Sequence, residues 1–573
     1  MNHGYPIFTA EAECQDCFKC VRGCPVKAIK VEDGHASVMP ELCLACGHCV
    51  EVCPAHAKKI RDDLALTRQI LREGGPVYAS LAPSWVSEFP AVSPEKMTAA
   101  LKKLGFAGVS ETALGAQAVS QEVADYLKTQ TSGITISSAC PVAVDFIRKY
   151  LPQFTDHISP VLSPALAHAK ILHEIYGPNI KVVFIGPCIA KKNEADLHPE
   201  LISTALLYPT LKQWFRSEQI DLSAIEVGPE DHFVPNASQE GAIYPIEGGM
   251  NRTIAPREGC EKINFVTLSG IYAIRQALDG IEPEEITSPV FVETLACMGG
   301  CVHGPGTDHL SPGLLERLRI INTTKFPQAI PERVHPEVNE NYEKKPVVAG
   351  DVSLTQIREA LRQVGKERPE DELNCGGCGY DTCQAFAAAL VQGKAEPAMC
   401  VSYLRQLAQR KSNAMLRCIP AAVVIVDRNL KLIECNRRFA ELAGEEAMVI
   451  YEAVPGMAGS MLDRLIPFSE LFEEVLKTRQ EITRDMIHCN GQLLSVNLFN
   501  IEPGQVVGAI MFDVTNTEFR REQIAARAKE VIQKNLLTVQ EIACKLGEHM
   551  AETEILLRSI ASDYADQSVA TKE

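Results

Sequence analysis

This sequence predicts a multidomain chain, part α/β and part α+β. Three observations carry that reading. Two copies of one tight cysteine run stand near the N-terminus, apolar strand-like runs alternate with helical stretches behind them, and a second, shorter set of strand patterns lies nearer the C-terminus. At 573 residues the chain has room for several domains, each with its own core. A hydrophobic content of 46% and a charged content of 23% are those of a globular protein. The net charge of −17 argues against a nucleic-acid-binding surface. No apolar run reaches the roughly 18 residues a membrane span needs. Met1 to Ala10 carries neither a basic nor an apolar signal region, and with 21 cysteines in the chain this favours a reducing, cytoplasmic setting.

The first element is residues 1–62. Cys14, Cys17, Cys20 and Cys24 run C-x2-C-x2-C-x3-C before Pro25, and Cys43, Cys46, Cys49 and Cys53 repeat the run before Pro54. Structural zinc prefers two separated CxxC pairs without a tight third cysteine, so zinc and a disulfide framework are the weaker readings. The pattern is similar to that of the bacterial two-cluster ferredoxins, in which the fourth cysteine of each run ligates the other cluster. That resemblance implies one [4Fe–4S] cluster on Cys14, Cys17, Cys20 and Cys53, and a second on Cys43, Cys46, Cys49 and Cys24.

Residues 70–325 form the second element. Runs at 77–82, 134–137, 182–185 and 291–295 read as buried strands separated by helices, which favours an α/β domain with parallel sheets. Four lone cysteines, Cys140, Cys188, Cys297 and Cys301, stand at the ends of such strands, where α/β folds build their sites. A lone cysteine is more often a small buried hydrophobe; four of them beside Pro or Gly suggest one shared cluster. Their contexts are Ser137-Ser138-Ala139-Cys140-Pro141, Gly186-Pro187-Cys188 with Lys191 and Glu194 following, and Glu293-Thr294-Leu295-Ala296-Cys297 with Gly299-Gly300-Cys301 following.

These three segments resemble the signature loops of the [FeFe]-hydrogenases, which run TSCCP, MPCxxKxxE and ExMxCxxGC. The resemblance implies an H-cluster, with a [4Fe–4S] cubane on the four cysteines. It also implies a two-iron subsite carrying CO, CN⁻ and an azadithiolate, bridged through Cys301. It gives Lys191 the hydrogen bond to a cyanide, a role that suits a point-charge donor. Ala82, Pro83 and Ser84 match the loop packed around the subsite, and Gly248-Gly249 a family glycine turn. The departures matter as well. Ala139 replaces the family's proton-passing thiol. The acidic pair after Gly115-Ala116-Gln117 is reduced to Glu122 followed by Val123. Ser159 and Glu194 remain at relay positions, while Gly186 and Leu295 replace two methionines, Gly186 leaving more room beside the subsite. A positioned proton-transfer group is worth roughly 10²–10⁴ in rate, so low turnover is expected unless another donor serves. His303 is one candidate.

A Pro- and charge-rich stretch at 326–349 reads as a linker. In residues 350–410, Cys375, Cys378, Cys383 and Cys400 run C-x2-C-x4-C-x16-C among glycines that let backbone wrap sulfur, which implies a third accessory [4Fe–4S] cluster, with zinc as the alternative. Its position in sequence suggests a second electron route out of the hydrogenase region. Residues 411–516 resemble a PAS domain, from the strand pair at 422–434, with Asn436 and Phe439 opening a helix, to the Asp513-Val514-Thr515 exit. His488 and Cys489 lie in that unit without any ligand pattern. The tail at 517–573 is helical in pattern, with a stripe of Ile532, Leu536, Val539, Ala543, Leu546 and Met550 and a break near Gly547; it reads as a coiled-coil seam, a partner-docking helix or a helix packed back on the PAS unit.

The whole set resembles the sensory [FeFe]-hydrogenases of anaerobes. That implies slow interconversion of H₂ with protons and electrons, signal output through the PAS domain, and a redox partner such as ferredoxin. A kinase or phosphatase listener and a homodimer are further expectations. No membrane or nucleic-acid partner is expected. The rival readings are a metabolic H₂-uptake or H₂-evolving hydrogenase, and a non-catalytic iron–sulfur paralogue.

Overall fold

The computed structural model describes residues 4–308, 313–347 and 350–515, then 529–540 and a few residues up to 557. It divides into two compact units, Met1–Val401 and Ser402–Glu573.

In the first unit the N-terminal module folds as two copies of one motif. Strand Ile7–Thr9 pairs antiparallel with Lys58–Ile60, and Ile29–Glu32 pairs with His35–Val38. Short helices Lys19–Gly23 and His48–Glu51 carry the third cysteine of each run. The repeat extends to backbone conformation. Asp16, Phe18 and Lys27 have φ of 51°, 54° and 51°, and their counterparts Ala45, Gly47 and His56 have 53°, 84° and 51°. Five of these six are not glycine, so the left-handed backbone is strained and persists because the surrounding loop fixes it.

The α/β domain holds two parallel sheets, as the alternation predicts. One has the order Gly108–Glu111, Val77–Leu81, Lys181–Gly186, Thr204–Leu207; the other runs Asn264–Ser269, Val290–Leu295, Ile134–Ile136. Val77, Leu81, Val182, Val183, Ile185 and Phe291 are buried on these strands, and helices such as Ala113–Lys128 and Pro164–Tyr176 cover them. The carboxyl ends of strands from both sheets carry the cysteine loops.

The stretch expected to be a free linker, 326–349, differs from that expectation over its described residues. It joins two domains, but 326–347 lie along the α/β domain as a strap. Val338 is fully buried in that domain's core, and the Leu162 N–H donates to its carbonyl at 2.7 Å. Arg333 pairs with buried Glu240 at 2.5 Å, and the Tyr342 hydroxyl donates to the Val161 carbonyl at 2.9 Å.

The four-cysteine domain that follows sits on the N-terminal module. The Val31 N–H donates to the Lys394 carbonyl at 3.0 Å, and the Gly34 N–H to Glu396 at 3.3 Å. Gly379, with φ of 94°, lies on helix Lys19–Gly23 so closely that a Cβ there would stand 2.9 Å from Val21 and 3.1 Å from the Arg22 nitrogen.

The second unit has a five-stranded antiparallel sheet in the order Leu432–Cys435, Ala422–Asp427, Val506–Asp513, Gln492–Glu502, Ile482–Cys489. Val424, Val426, Phe439, Phe472, Val496 and Leu498 fill its core. Asn436 caps helix Arg437–Ala443 through the Phe439 N–H at 3.0 Å, and its carboxamide also takes the Val423 N–H at 2.9 Å. Cys489 is buried in this core, as is Cys435, whose thiol burial pushes up to about 12; His488 is exposed. In the tail, 529–540 are helical. Ile532 packs on Ala421, Val423 and Ile510, while Leu536, Val539, Leu546 and Met550 are exposed. Ala543 and Gly547 lie outside the described residues. Among the described residues no helix is long and apolar enough to cross a membrane.

Candidate functional site

Three loops at strand ends bring Cys140, Cys188, Cys297 and Cys301 to one cavity of about 100 Å³. Cys140 precedes helix Pro141–Tyr150, whose proline opens the first turn without a wasted N–H. Cys188 follows strand Lys181–Gly186, and Cys297 follows Val290–Leu295. Cys301 is placed by two glycines with φ of 78° and 106°; at Gly300 a Cβ would stand 2.2 Å from the Pro245 carbonyl, so no side chain fits there. The four thiols lie close enough to feel one another's charge. Burial pushes Cys188 up to about 11 and raises Cys297 and Cys301 further, with neighbouring cysteines adding to each shift.

Ala82, Pro83, Ser84, Ala139, Lys191 and Leu295 line the same cavity. The Ser84 hydroxyl meets the Tyr208 hydroxyl at 2.8 Å, and Tyr208 donates to the Ala82 carbonyl at 3.0 Å, which fixes that loop. The Lys191 ammonium is buried and donates to Ser163 at 2.8 Å and Glu194 at 2.5 Å. Ser159 is fully buried and donates to Ser138 at 3.0 Å. Tyr342, from the strap, reaches both Ser138 and the field of Glu194, and its burial raises its hydroxyl's ionisation well above the usual range. Glu293 accepts the Met250 N–H at 3.1 Å, which ties the Gly248-Gly249 turn to the third cysteine strand, and burial lifts its carboxyl to about 7.

Two expectations need correction. Gly186 does not open room beside the cavity. Residues 184 and 186 share one strand face, and the Phe184 ring covers the glycine: a Cβ at 186 would meet the ring at 2.6 Å and Ala82 at 2.8 Å. Gly186→Met should therefore lower stability by about 1–3 kcal/mol through overpacking. Pairing it with Phe184→Ala should recover part of that loss, as read by thermal unfolding. His303, in turn, is not among the cavity's lining residues. Its Nδ1 lies 3.1 Å from the Met298 carbonyl and its Nε2 3.4 Å from Glu316. Val123 is fully buried in the apolar core, on the helix whose Thr112 cap and Ala116 line the cavity.

The N-terminal thiols fall into the crossed sets. Cys20 lies in the field of Cys14, Cys17 and Cys53, and Cys49 in that of Cys43, Cys46 and Cys24. Backbone N–H groups aim at sulfur, from Ala28 to Cys24 at 3.2 Å and from Ala45 to Cys43 at 3.4 Å. Burial pushes Cys20 up to about 11 and Cys46 up to about 12. Such thiols ionise readily only beside a cationic metal centre, and the waiting N–H donors suit the resulting thiolates. Both donor chemistry and loop shape thus fit iron–sulfur clusters. Cys378 is near Cys375 and Cys400 in the same way, and the Cys383 N–H is held by Asn374 at 2.7 Å. Cys46 also lines the cavity, and Gly47 is pressed against Pro305 and Ile189.

Comparison with known families finds four domain matches. The family described as iron only hydrogenase large subunit, C-terminal domain, matches residues 75–305. The chain carries an iron-only hydrogenase domain. A 4Fe-4S dicluster domain matches residues 6–54, an Fe-S cluster family matches 371–402, and a PAS domain matches 410–483. The periplasmic [Fe] hydrogenase large subunit of Nitratidesulfovibrio vulgaris is 29% identical over 370 residues, 54% of this chain and 87% of that protein. Iron hydrogenase 1 of Clostridium pasteurianum is 25% identical over 272 residues, 39% of this chain and 47% of that protein. Among solved structures, an [FeFe]-hydrogenase from Chlamydomonas reinhardtii aligns over 50% of this chain and 100% of its own, at 16% identity and a TM-score of 0.40.

Sequence reasoning missed Ser138, Ser163, Phe184, Tyr208 and Tyr342 around the hydrogenase cavity. Ser138 and Ser163 stand one residue from a flagged alanine and from a proline-led helix, which is a usable signal. Tyr342 lies in a stretch whose composition points to solvent, and nothing in it signals burial.

Proposed function

We propose that this chain is a low-turnover [FeFe]-hydrogenase that senses H₂ and passes its redox state to the PAS unit. One observation carries the hydrogenase part: four cysteines from three loops and the Lys191 ammonium converge on one largely apolar cavity. Cys140, Cys188, Cys297 and Cys301 would hold the cubane, with Cys301 also bridging the two-iron subsite. When bound, that subsite supplies the heterolytic splitting of H₂. This chain's residues do the rest. The apolar walls exclude water and strengthen the field of Lys191. Ser163 and Glu194 hold that ammonium at the wall.

The slow, sensory part rests on Ala139 at the cavity wall, where a methyl group can neither accept nor release a proton. Ser138 and Ser159, the hydroxyl pair behind it, remain in place. A thiol-rich chain of this kind suits a reducing, cytoplasmic setting. The exposed apolar residues of the tail helix, Leu536 and Val539 among them, are suited to a homodimer or to a kinase or phosphatase.

The test is to mature the protein with the two-iron subsite, record its CO and CN⁻ infrared bands, and measure H₂ oxidation with an artificial acceptor. Bands with weak turnover support the reading. Absence of bands at full iron loading would turn it into the non-catalytic paralogue. Fast turnover would favour the metabolic enzyme. A truncation after Ser402 keeps every cluster cysteine and the whole first unit. Because domains fold as units, it should retain H₂ oxidation within about twofold while losing partner binding, and loss of activity in a folded truncate would place the tail in the catalytic machinery.

A further inference from the structure

We infer that the third four-cysteine domain is the outer end of a single electron line, joined to the first ferredoxin-type cysteine set through Arg22. This rests on the cluster assignments proposed above. The sequence places Cys375–Cys400 beyond the hydrogenase domain and so suggests a separate exit. The fold instead brings this domain back onto the N-terminal module, on the side of helix Lys19–Gly23.

Arg22 is the link. Its guanidinium donates to the Cys17 carbonyl at 2.9 Å and to the Gly377 carbonyl at 3.2 Å. Cys17 belongs to the first set, and Gly377 directly precedes Cys378. One planar cation therefore ties a ligand residue of one set to the loop of the next, a geometry that lysine's point charge reproduces only in part. Three further contacts hold the pair. They are the Val31-to-Lys394 backbone bond, the Gly34-to-Glu396 bond, and the close seat of Gly379 on Val21. In the set of Cys24, Cys43, Cys46 and Cys49 only Cys46 is not buried; Cys14 and Cys17 are partly exposed beside buried Cys20 and Cys53; and Cys375 is exposed beside partly exposed Cys378 and buried Cys383 and Cys400.

The electron balance is simple. Oxidation of one H₂ releases two protons and two electrons. Each electron moves singly from the cavity side to the set containing Cys46, then to the set containing Cys17, then to the set containing Cys378. No bond forms or breaks in these transfers, and a one-electron protein acceptor takes each electron at the Cys375 side. Arg22 is a positioning residue: it fixes the spacing of two sets and touches no reacting atom of H₂.

The experiment uses the full chain, reconstituted with iron and sulfide and reduced with dithionite, so that no hydrogenase activity is needed. Iron content and electron paramagnetic resonance are read on the wild type, Cys378→Ser, Arg22→Ala and Arg22→Lys. Cys378→Ser should lose about four irons by the four-cysteine rule, and the remaining signals should lose the spin–spin broadening that the third cluster imposes. Arg22→Ala should keep its iron and show reduced broadening, and Arg22→Lys should lie between it and the wild type. Loss of four irons with unchanged broadening in Cys378→Ser would overturn the single line. So would an Arg22→Ala spectrum identical to the wild type with iron intact. No loss of iron in Cys378→Ser would overturn the cluster assignment itself, a separate failure. Should Arg22→Ala not fold, Gly379→Leu wedges the same interface from the other side and is held to the same outcomes.

Discussion

Replacing Cys301 with alanine is expected to abolish H₂ turnover and the CO and CN⁻ bands while leaving the accessory clusters spectroscopically unchanged. The reason is local. Gly299 and Gly300 take backbone angles open to glycine, and Gly300 is pressed against the Pro245 carbonyl, so the cysteine that follows has no freedom to drift. The Gly304 N–H then closes a turn on the Cys301 carbonyl at 2.9 Å. Its thiol lies among Cys140, Cys188 and the Lys191 charge, at the wall where the two-iron subsite would sit. Under the proposed assignment, alanine there would remove a cubane ligand and the thiol that would bridge to the subsite. Cys14, Cys20 and Cys53 form a separate set in the N-terminal module, so their signals serve as the internal control. The measurement is infrared spectroscopy, resonance of the accessory clusters and H₂ uptake on one matured sample. Wild-type bands with wild-type uptake in Cys301→Ala would show that the bridging role belongs elsewhere.

The cysteine groups were legible in the sequence because their members stand at short, fixed spacings, and the crossed pairing is what the resemblance to two-cluster ferredoxins implies. The strands were legible for a different reason: runs such as Val182-Val183-Phe184-Ile185 are apolar throughout, as strands buried on both faces must be. Other features left no such trace. The strap at 326–347 is anchored by single residues, Val338 and Tyr342, set in a charged background, and isolated anchors generate no period. The Phe184 ring over Gly186 is a same-face relation two residues apart, which spacing allows but does not demand. Docking of the third cysteine domain on helix Lys19–Gly23 joins segments more than 350 residues apart, as Arg22 and Gly377 show. Sequence distance says nothing about such pairs. At the cavity, the residue types were readable but their partners were not: Lys191 stood out, whereas Ser163, which shares its ammonium with Glu194, did not.

Ala139→Cys should raise turnover, by up to the roughly 10²–10⁴ that a positioned proton-transfer group contributes. The position suits the change. Ala139 lines the cavity and is only partly buried, so a sulfur atom there faces the cavity rather than packed core. Directly behind it, Ser138 already accepts from Ser159 at 3.0 Å, and Tyr342 reaches Ser138 from the strap. One thiol would therefore connect the cavity to hydroxyls that are already bonded to one another. Restoring an acid at position 123 is a poor companion change. Val123 is fully buried in the apolar core, and a carboxyl there would meet hydrophobic neighbours without a partner. Val123→Glu should cost stability whatever happens at position 139, and thermal unfolding of that single variant checks the point. The informative measurement for Ala139→Cys is H₂ turnover against pH, normalised to intact two-iron content. A thiol that carries the proton should raise the rate and impose its own titration on the profile, since the rate then depends on the thiol's protonation state. A higher rate with an unchanged profile would mean that the sulfur acts by reshaping the cavity wall. An unchanged rate would show that proton delivery does not limit this enzyme, and would move the slow step to the metal-site walls at Phe184 and Leu295 or to electron exit past Arg22.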